Sequence, residues 1–280
     1  MSSIYLCAIS NIKSGACDQD CSFCTQSIKH KANIAHFEKK SLQAILEQAR
    51  QASALGASGF CLVSSGKSLT PKLLQQVCEA ALAIKKQDLK LKLIACNGLA
   101  TYEQLCELKK AGIEAYNHNL ETSESYYPNI CSTHSWQERY NTCLHVKKAG
   151  LDLVCGGIFG IGESLDDRKS LFSAIASLEP ANVPINFFHH HPSLPLKPSS
   201  IDANEALEII KQARQKVSKA KKIMVAGGRA QYFGVGDYQF FENGANAIVI
   251  GDYLTTKGHS AKNEISELKK QGYSITNCKA

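Results

Sequence analysis

No run of apolar residues in this 280-residue chain approaches the length of a bilayer span, so the sequence offers no transmembrane helix. It also lacks a basic leader. Ile4 to Ile9 is a short apolar stretch without one and reads as a first strand, not a signal peptide. A cytoplasmic protein is expected. There is no internal repeat, low-complexity tract or linker, so the reading is one domain over residues 1–280. A concentrated basic face is missing too. The formal net charge is +7, but the excess is spread over pairs such as Lys39-Lys40, Lys85-Lys86, Lys109-Lys110 and Lys147-Lys148 near expected helix ends. There the lysines are solvated or complement the helix dipole, and no nucleic-acid partner is expected. Prolines number seven, and three of them fall in the stretch from His189-His190-His191 to Pro198, which is therefore a loop. Adjacent histidines do not readily face one ion, so this stretch reads as a polar loop and not as a metal site.

Cysteine, by contrast, is plentiful. The chain has 12, fewer than a disulfide scaffold of this length would carry, and a reducing compartment makes clustered thiols metal ligands before disulfides. Three stand in Cys17-Asp18-Gln19-Asp20-Cys21-Ser22-Phe23-Cys24, with no fourth at short spacing. A closed zinc site or an ordinary iron–sulfur cluster takes four protein ligands, whereas three leave one position open for chemistry. The spacing C-x3-C-x2-C, with aromatic Phe23 before the third cysteine, resembles the signature of radical S-adenosylmethionine (SAM) enzymes. The competing readings are a loop of small buried thiols, or three ligands of a zinc site with a distant fourth.

Strand and helix signals alternate along the whole chain. Strands are expected at Ile4–Ile9, Phe60–Val63, Leu91–Ala95, Ala115–Asn119, Leu151–Cys155, Val183–Phe188, Ile223–Ala226 and Ala247–Ile250. Helix starts are marked between them by Ser41, by Thr70-Pro71, by the capping box Ser135-x-x-Glu138, and by Asp202-x-x-Glu205. The last helix is expected near Asn263–Lys270, and a weak one around Tyr238–Glu242. The fold class is α/β, a single (β/α)8 TIM-type barrel with its site inside the barrel at the C-terminal ends of the strands.

Several residues stand where such a site would be. Cys61, Cys96 and Cys155 lie on or at the ends of three expected strands, and inward side chains of different strands converge on the barrel axis. Buried free cysteines are common, so this alone leaves a second metal centre and ordinary core thiols equally open. Cys78, Cys106 and Cys143 read as helix-packing thiols, and Cys7, Cys131 and Cys278 have no evident partner. Alternation places Asn117, Asn119 and Glu121 on one face. Three polar groups pointing inward favour a polar ligand over packing, and Asn186 could join them. Gly160-Ile161-Gly162-Glu163 is a weak phosphate-loop cue or a tight turn.

Over nearly its whole length the chain resembles the biotin synthase family of radical SAM enzymes. The resemblance rests on Cys21-Ser22-Phe23-Cys24-Thr25-Gln26-Ser27, Tyr116-Asn117-His118-Asn119-Leu120, Gly156-Gly157-Ile158 through Glu163, and Pro184-Ile185-Asn186. It implies insertion of sulfur into dethiobiotin by radical chemistry that the cofactors carry, with no acid–base pair among the side chains. It implies a 4Fe–4S cluster on Cys17, Cys21 and Cys24 that binds SAM, with Asn119, Glu121, Arg139 and Glu163 about the SAM. It implies Asn117 and Asn186 on dethiobiotin, and an auxiliary cluster, usually 2Fe–2S, on Cys61, Cys96 and Cys155. Where many members supply an arginine as fourth ligand, this chain has Met224, a softer and uncharged donor. An electron donor such as flavodoxin or ferredoxin and a homodimer are implied as well. The alternatives are another small-molecule radical SAM enzyme on the same barrel, a zinc-binding docking module, and a simple electron carrier.

Overall fold

Ten parallel-paired strands form the frame of the computed structural model, which describes residues 3–197 and 201–276. Pro198 and Cys278 lie outside those residues. In chain order the strands are β1 (Ser3–Lys13), β2 (Gly59–Ser64), β3 (Lys92–Cys96), β4 (Ala115–Asn117), β5 (Asp152–Val154), β6 (Gly157–Phe159), β7 (Asn182–Phe187), β8 (Lys222–Val225), β9 (Ala247–Val249) and β10 (Ser274–Ile275). The helices are α1 (Leu42–Ala54), α2 (Pro71–Lys85), α3 (Tyr102–Lys110), α4 (Trp136–Lys148), α5 (Leu165–Leu178), α6 (Ala203–Lys216), α7 (Arg229–Tyr232), α8 (Gln239–Glu242) and α9 (Ala261–Lys270). Spatial order runs β1-β2-β3-β4-β5-β7-β8-β9, and β9 pairs again with β1, so eight strands close a barrel. β6 continues the β5 position along β7, and β10 extends β1 outside the ring.

The helices begin where the sequence supplies caps. Ser41, Thr70, Thr101, Ser135, Ser164 and Asp202 each accept a hydrogen bond from a backbone N–H in the first turn. The seventh unit has two four-residue helices in place of one long helix, in line with its weak signal.

Closure creates two apolar compartments. The larger lies between strands and helices. The smaller fills the barrel and contains Cys7, Cys61, Val63, Ile94, Ala115, Val154, Met224, Ala226, Ala247 and Val249. Which compartment a strand residue enters follows from alternation, and that decides which cysteines can meet.

Candidate active site

Cys17, Cys21 and Cys24 sit on the loop that leaves the C-terminal end of β1. The loop is pinned at both ends: Cys17 N–H donates to the Gln26 carbonyl at 3.2 Å, and Ile28 N–H to the Cys17 carbonyl at 2.9 Å. Within it, the Asp20 carboxylate accepts from Ser132 N–H at 3.0 Å and from Thr133 Oγ1 at 2.9 Å, tying it to the segment before α4. All three thiols line one cavity, with Phe23, Asn119, Glu121, His134 and Arg139. Their donor atoms do not form a set mutually within 4.8 Å; Cys21, Cys131 and His134 do. A single zinc needs its sulfurs about 2.3 Å from one point. The wider spread of the loop thiols suits a cluster of several irons better. Cys131, without a partner in the sequence reading, lies 3.7 Å from Cys21 and 3.2 Å from His134 Nδ1.

β4 delivers the polar wall. Asn117, Asn119 and Glu121 all face the cavity inside the barrel, as alternation predicts. The Asn117 amide oxygen is buried without a hydrogen-bond partner. Glu121 pairs with Arg139 of α4 at 2.9 Å, and Arg139 Nε donates to the Asn119 carbonyl at 2.6 Å. Burial pushes the Glu121 carboxyl up, and Arg139 opposes that push. Burial works against the Arg139 charge, but Glu121, together with Tyr127, Cys21 and Cys143, holds the guanidinium charged. One Glu121 oxygen remains unpartnered, and its backbone sits at φ +70°, a left-handed conformation that costs a non-glycine residue of order 1–3 kcal/mol. Strain and an open valence at one residue beside the thiols mark a position shaped for a ligand. His118, on the other side of the strand, is held neutral by burial and by Arg139.

A cavity of about 370 Å³ runs from Cys24 at the mouth into the barrel. Its walls include Cys7, Cys61, Cys96, Asn182, Asn186 and Met224. Asn186 spans two neighbours: its amide N donates to the Gly157 carbonyl at 3.1 Å, and its amide O accepts from Gly227 N–H at 2.9 Å. Each amide atom keeps a further valence, and the residue lines the cavity. Burial pushes the Cys7 and Cys96 thiols up to about 12, and Cys61 is raised well above the ordinary thiol value, by burial first and then by Cys96 and Cys7. Such thiols stay protonated unless a cation draws off the proton, as a coordinating metal does. The mouth is covered by the segment after β9, where Thr255 meets Thr25 across the opening at 3.0 Å and the Leu254 carbonyl accepts from Asn11 at 3.2 Å.

Two expectations are corrected. Cys155 does not converge with Cys61 and Cys96. It lies just past β5, fully buried in the outer compartment with Leu153, its sulfur 3.9 Å from Cys143 on α4. Glu163 does not reach the cavity. Its carboxylate accepts from Gly160 N–H at 3.0 Å, Ile161 N–H at 2.8 Å and Arg168 Nε at 2.8 Å, which fixes the turn before α5. Its negative charge is satisfied there. Met224 does line the cavity, near the end of β8. Arg229 is not an alternative ligand, since it is buried against Glu264 at 2.6 Å. His189 and His191 border the outer mouth; His191 Nδ1 lies 2.7 Å from Ser193 Oγ and 3.2 Å from Ser193 N–H. The sequence reading missed Asn182, although Asn182, Pro184 and Asn186 alternate on one face of β7 and all line the cavity.

Residues 11–175 match the family model described as Radical SAM superfamily, and residues 184–274 match the Biotin and Thiamin Synthesis associated domain. The chain is 53% identical to the biotin synthase of Aliarcobacter butzleri over 272 residues, 97% of this chain and 96% of the relative. It is 54% identical to that of Nitratiruptor sp. over 276 residues, 98% and 99% of the two chains. Among solved structures, methylornithine synthase superimposes with a TM-score of 0.82 at 17% identity, covering 99% of this chain and 84% of that one. The FeFe-hydrogenase maturase of Carboxydothermus hydrogenoformans gives 0.84 at 18%, covering 99% and 68%. These two likenesses speak for the fold.

Proposed function

The chain belongs to the biotin synthase family of radical SAM enzymes, and from that premise we propose that it inserts sulfur into dethiobiotin to form biotin, with SAM as co-substrate. The observation that carries this reading is one continuous cavity. It joins a loop thiol, Cys24, to interior thiols Cys61 and Cys96 past the unpaired amide of Asn117. A radical source and a sulfur source on either side of a small polar molecule need that arrangement.

In this reading Cys17, Cys21 and Cys24 hold the 4Fe–4S cluster that the family implies, and Cys61 and Cys96 face the auxiliary one. When bound, the first cluster supplies the electron that cleaves SAM, and the auxiliary cluster supplies the sulfur. The side chains orient and exclude. Asn119, Glu121 and Arg139 present one amide, one carboxylate and one guanidinium beside the loop thiols. That set fits the ammonium and carboxylate of a bound amino acid, and the fork of Arg139 suits a carboxylate. Asn117 offers a buried acceptor to a ureido N–H, and Asn186 holds the opposite wall. The Thr25–Thr255 contact ties the segment after β9 to the cysteine loop at the mouth. Met224 forms part of the wall and is not a required ligand.

Both matched segments fall on one closed sheet, and the reading treats residues 1–280 as a single domain. A flavodoxin or ferredoxin as reductant, a homodimer and a cytoplasmic location complete it. Among the described residues no helix is long and apolar enough to cross a membrane.

Anaerobic turnover tests the function. The reconstituted chain with SAM, dethiobiotin and a reductant should yield both 5′-deoxyadenosine and biotin. Deoxyadenosine with a sulfur-free product would favour another small-molecule radical SAM reaction.

A further inference from the structure

The family pattern would place the auxiliary cluster on Cys61, Cys96 and Cys155, but in this chain the third thiol is on the wrong side of the sheet. Leu153 and Cys155 lie in the compartment under the helices, and Val154 between them faces the barrel. A rotamer change does not carry a side chain from one face of a sheet to the other. The backbone is also locked: a Cβ on the next residue, Gly156, would come within 1.8 Å of the Pro184 carbonyl oxygen, so this segment is pressed directly onto β7. Turning Cys155 inward would require moving that contact.

Another cysteine occupies the inner face. Cys7 is in β1, and its side chain enters the barrel compartment beside Cys61 and Met224. The register sets the geometry. Cys7 is paired with Gly59 on β2, two residues before Cys61; Cys61 is paired with Ile94 on β3, two residues before Cys96. The three thiols therefore step diagonally across three adjacent strands, on the order of 8 Å between successive Cα atoms from strand spacing and rise. That is too open for one ion and within the span of a cluster. Gly59 leaves space for the step. The Cys7 sulfur lies 3.3 Å from where a Gly59 Cβ would be, so it leans over β2 at that glycine.

We propose that Cys7, Cys61 and Cys96, and not Cys155, are the protein's thiolate ligands to the auxiliary cluster. The proposal rests on the two-cluster reading of the site. It makes Cys155 an ordinary core thiol packed on Cys143, and it gives the cluster three ligands from consecutive strands with Met224 across the cavity.

The test uses the full chain carrying Cys17→Ala, Cys21→Ala and Cys24→Ala, so that only the interior site can assemble a cluster. Iron and sulfide bound per chain are counted after anaerobic reconstitution with ferrous iron and sulfide, together with the visible absorption. Cys7→Ser should remove at least tenfold of the bound iron, as Cys61→Ser does, and Cys155→Val should keep all of it. Full iron in Cys7→Ser, or loss in Cys155→Val, overturns the assignment. Should Cys7→Ser fail to fold by circular dichroism, Cys155→Val decides alone. Full iron in Cys61→Ser would instead overturn the two-cluster reading itself.

Discussion

The loop thiols and the barrel thiols reach two adjoining cavities, which share Cys24 and Cys96, by opposite routes. Cys17, Cys21 and Cys24 are neighbours in sequence, held by a loop whose own backbone bonds and the Asp20 network fix it. Cys7, Cys61 and Cys96 are far apart in sequence and meet because parallel register and barrel closure bring their strands side by side. The first group can be read by spacing alone. The second depends on which face each strand turns inward, so one change of face exchanges one ligand for another.

The largest expected effects are at the proposed metal ligands. Cys24→Ser should abolish 5′-deoxyadenosine formation while iron remains at the interior site. Cys61→Ser should still cleave SAM yet form little biotin, measured by chromatography of both products. Equal loss of both products in the two variants would merge the two groups into one centre.

Next in size is the ion pair beside the loop thiols. Glu121→Ala leaves Arg139 buried without its counter-charge, and breaking such a pair costs about 3–5 kcal/mol. Urea unfolding of the metal-free chain should show that loss. A change below about 1 kcal/mol would mean that water reaches Arg139 freely.

Glu163→Gln tests whether Glu163 braces the turn before α5 or meets SAM. Removing the charge from three hydrogen bonds, one to Arg168, should lower stability by about 2 kcal/mol and leave SAM affinity unaltered. A tenfold loss of SAM affinity at unchanged stability would return Glu163 to the site. Asn117→Ala should weaken dethiobiotin binding about tenfold to a hundredfold in titration, the worth of one buried hydrogen bond. Wild-type affinity would remove Asn117 from the substrate. Met224→Leu is the smallest change. A volume-conserving swap at a wall position should keep iron, sulfide and biotin formation within about twofold. Complete loss of the interior cluster would make the thioether a ligand.

Much of this was legible in the sequence. The eight βα units, their caps, the open-position cysteine loop and the inward Asn117–Asn119–Glu121 face all follow from spacing and local chemistry. Facing in β5 did not. Strands of a barrel are apolar on both sides, so Leu151, Asp152, Leu153, Val154 and Cys155 carry too little polar alternation to tell in from out. β6 was missed because it is only three residues long and opens at a glycine. Cys7 was passed over for a related reason: its neighbours Tyr5, Leu6, Ala8 and Ile9 are apolar on either side, and only the pairing of β1 with β2 and β9 shows where it points. Glu163 stands beside a glycine turn that could as well have held a ligand, and only its bonds to Gly160, Ile161 and Arg168 identify it as the brace of that turn.

If two groups of thiols hold two separate clusters, Mössbauer spectra of the full chain reconstituted with isotopic iron, wild type beside Cys61→Ser, will separate them. The wild type should give two sets of signals, one of which shifts when SAM is added, and in Cys61→Ser only the SAM-sensitive set should survive. A single set in the wild type, or loss of the SAM-sensitive signals in Cys61→Ser, would contradict that arrangement.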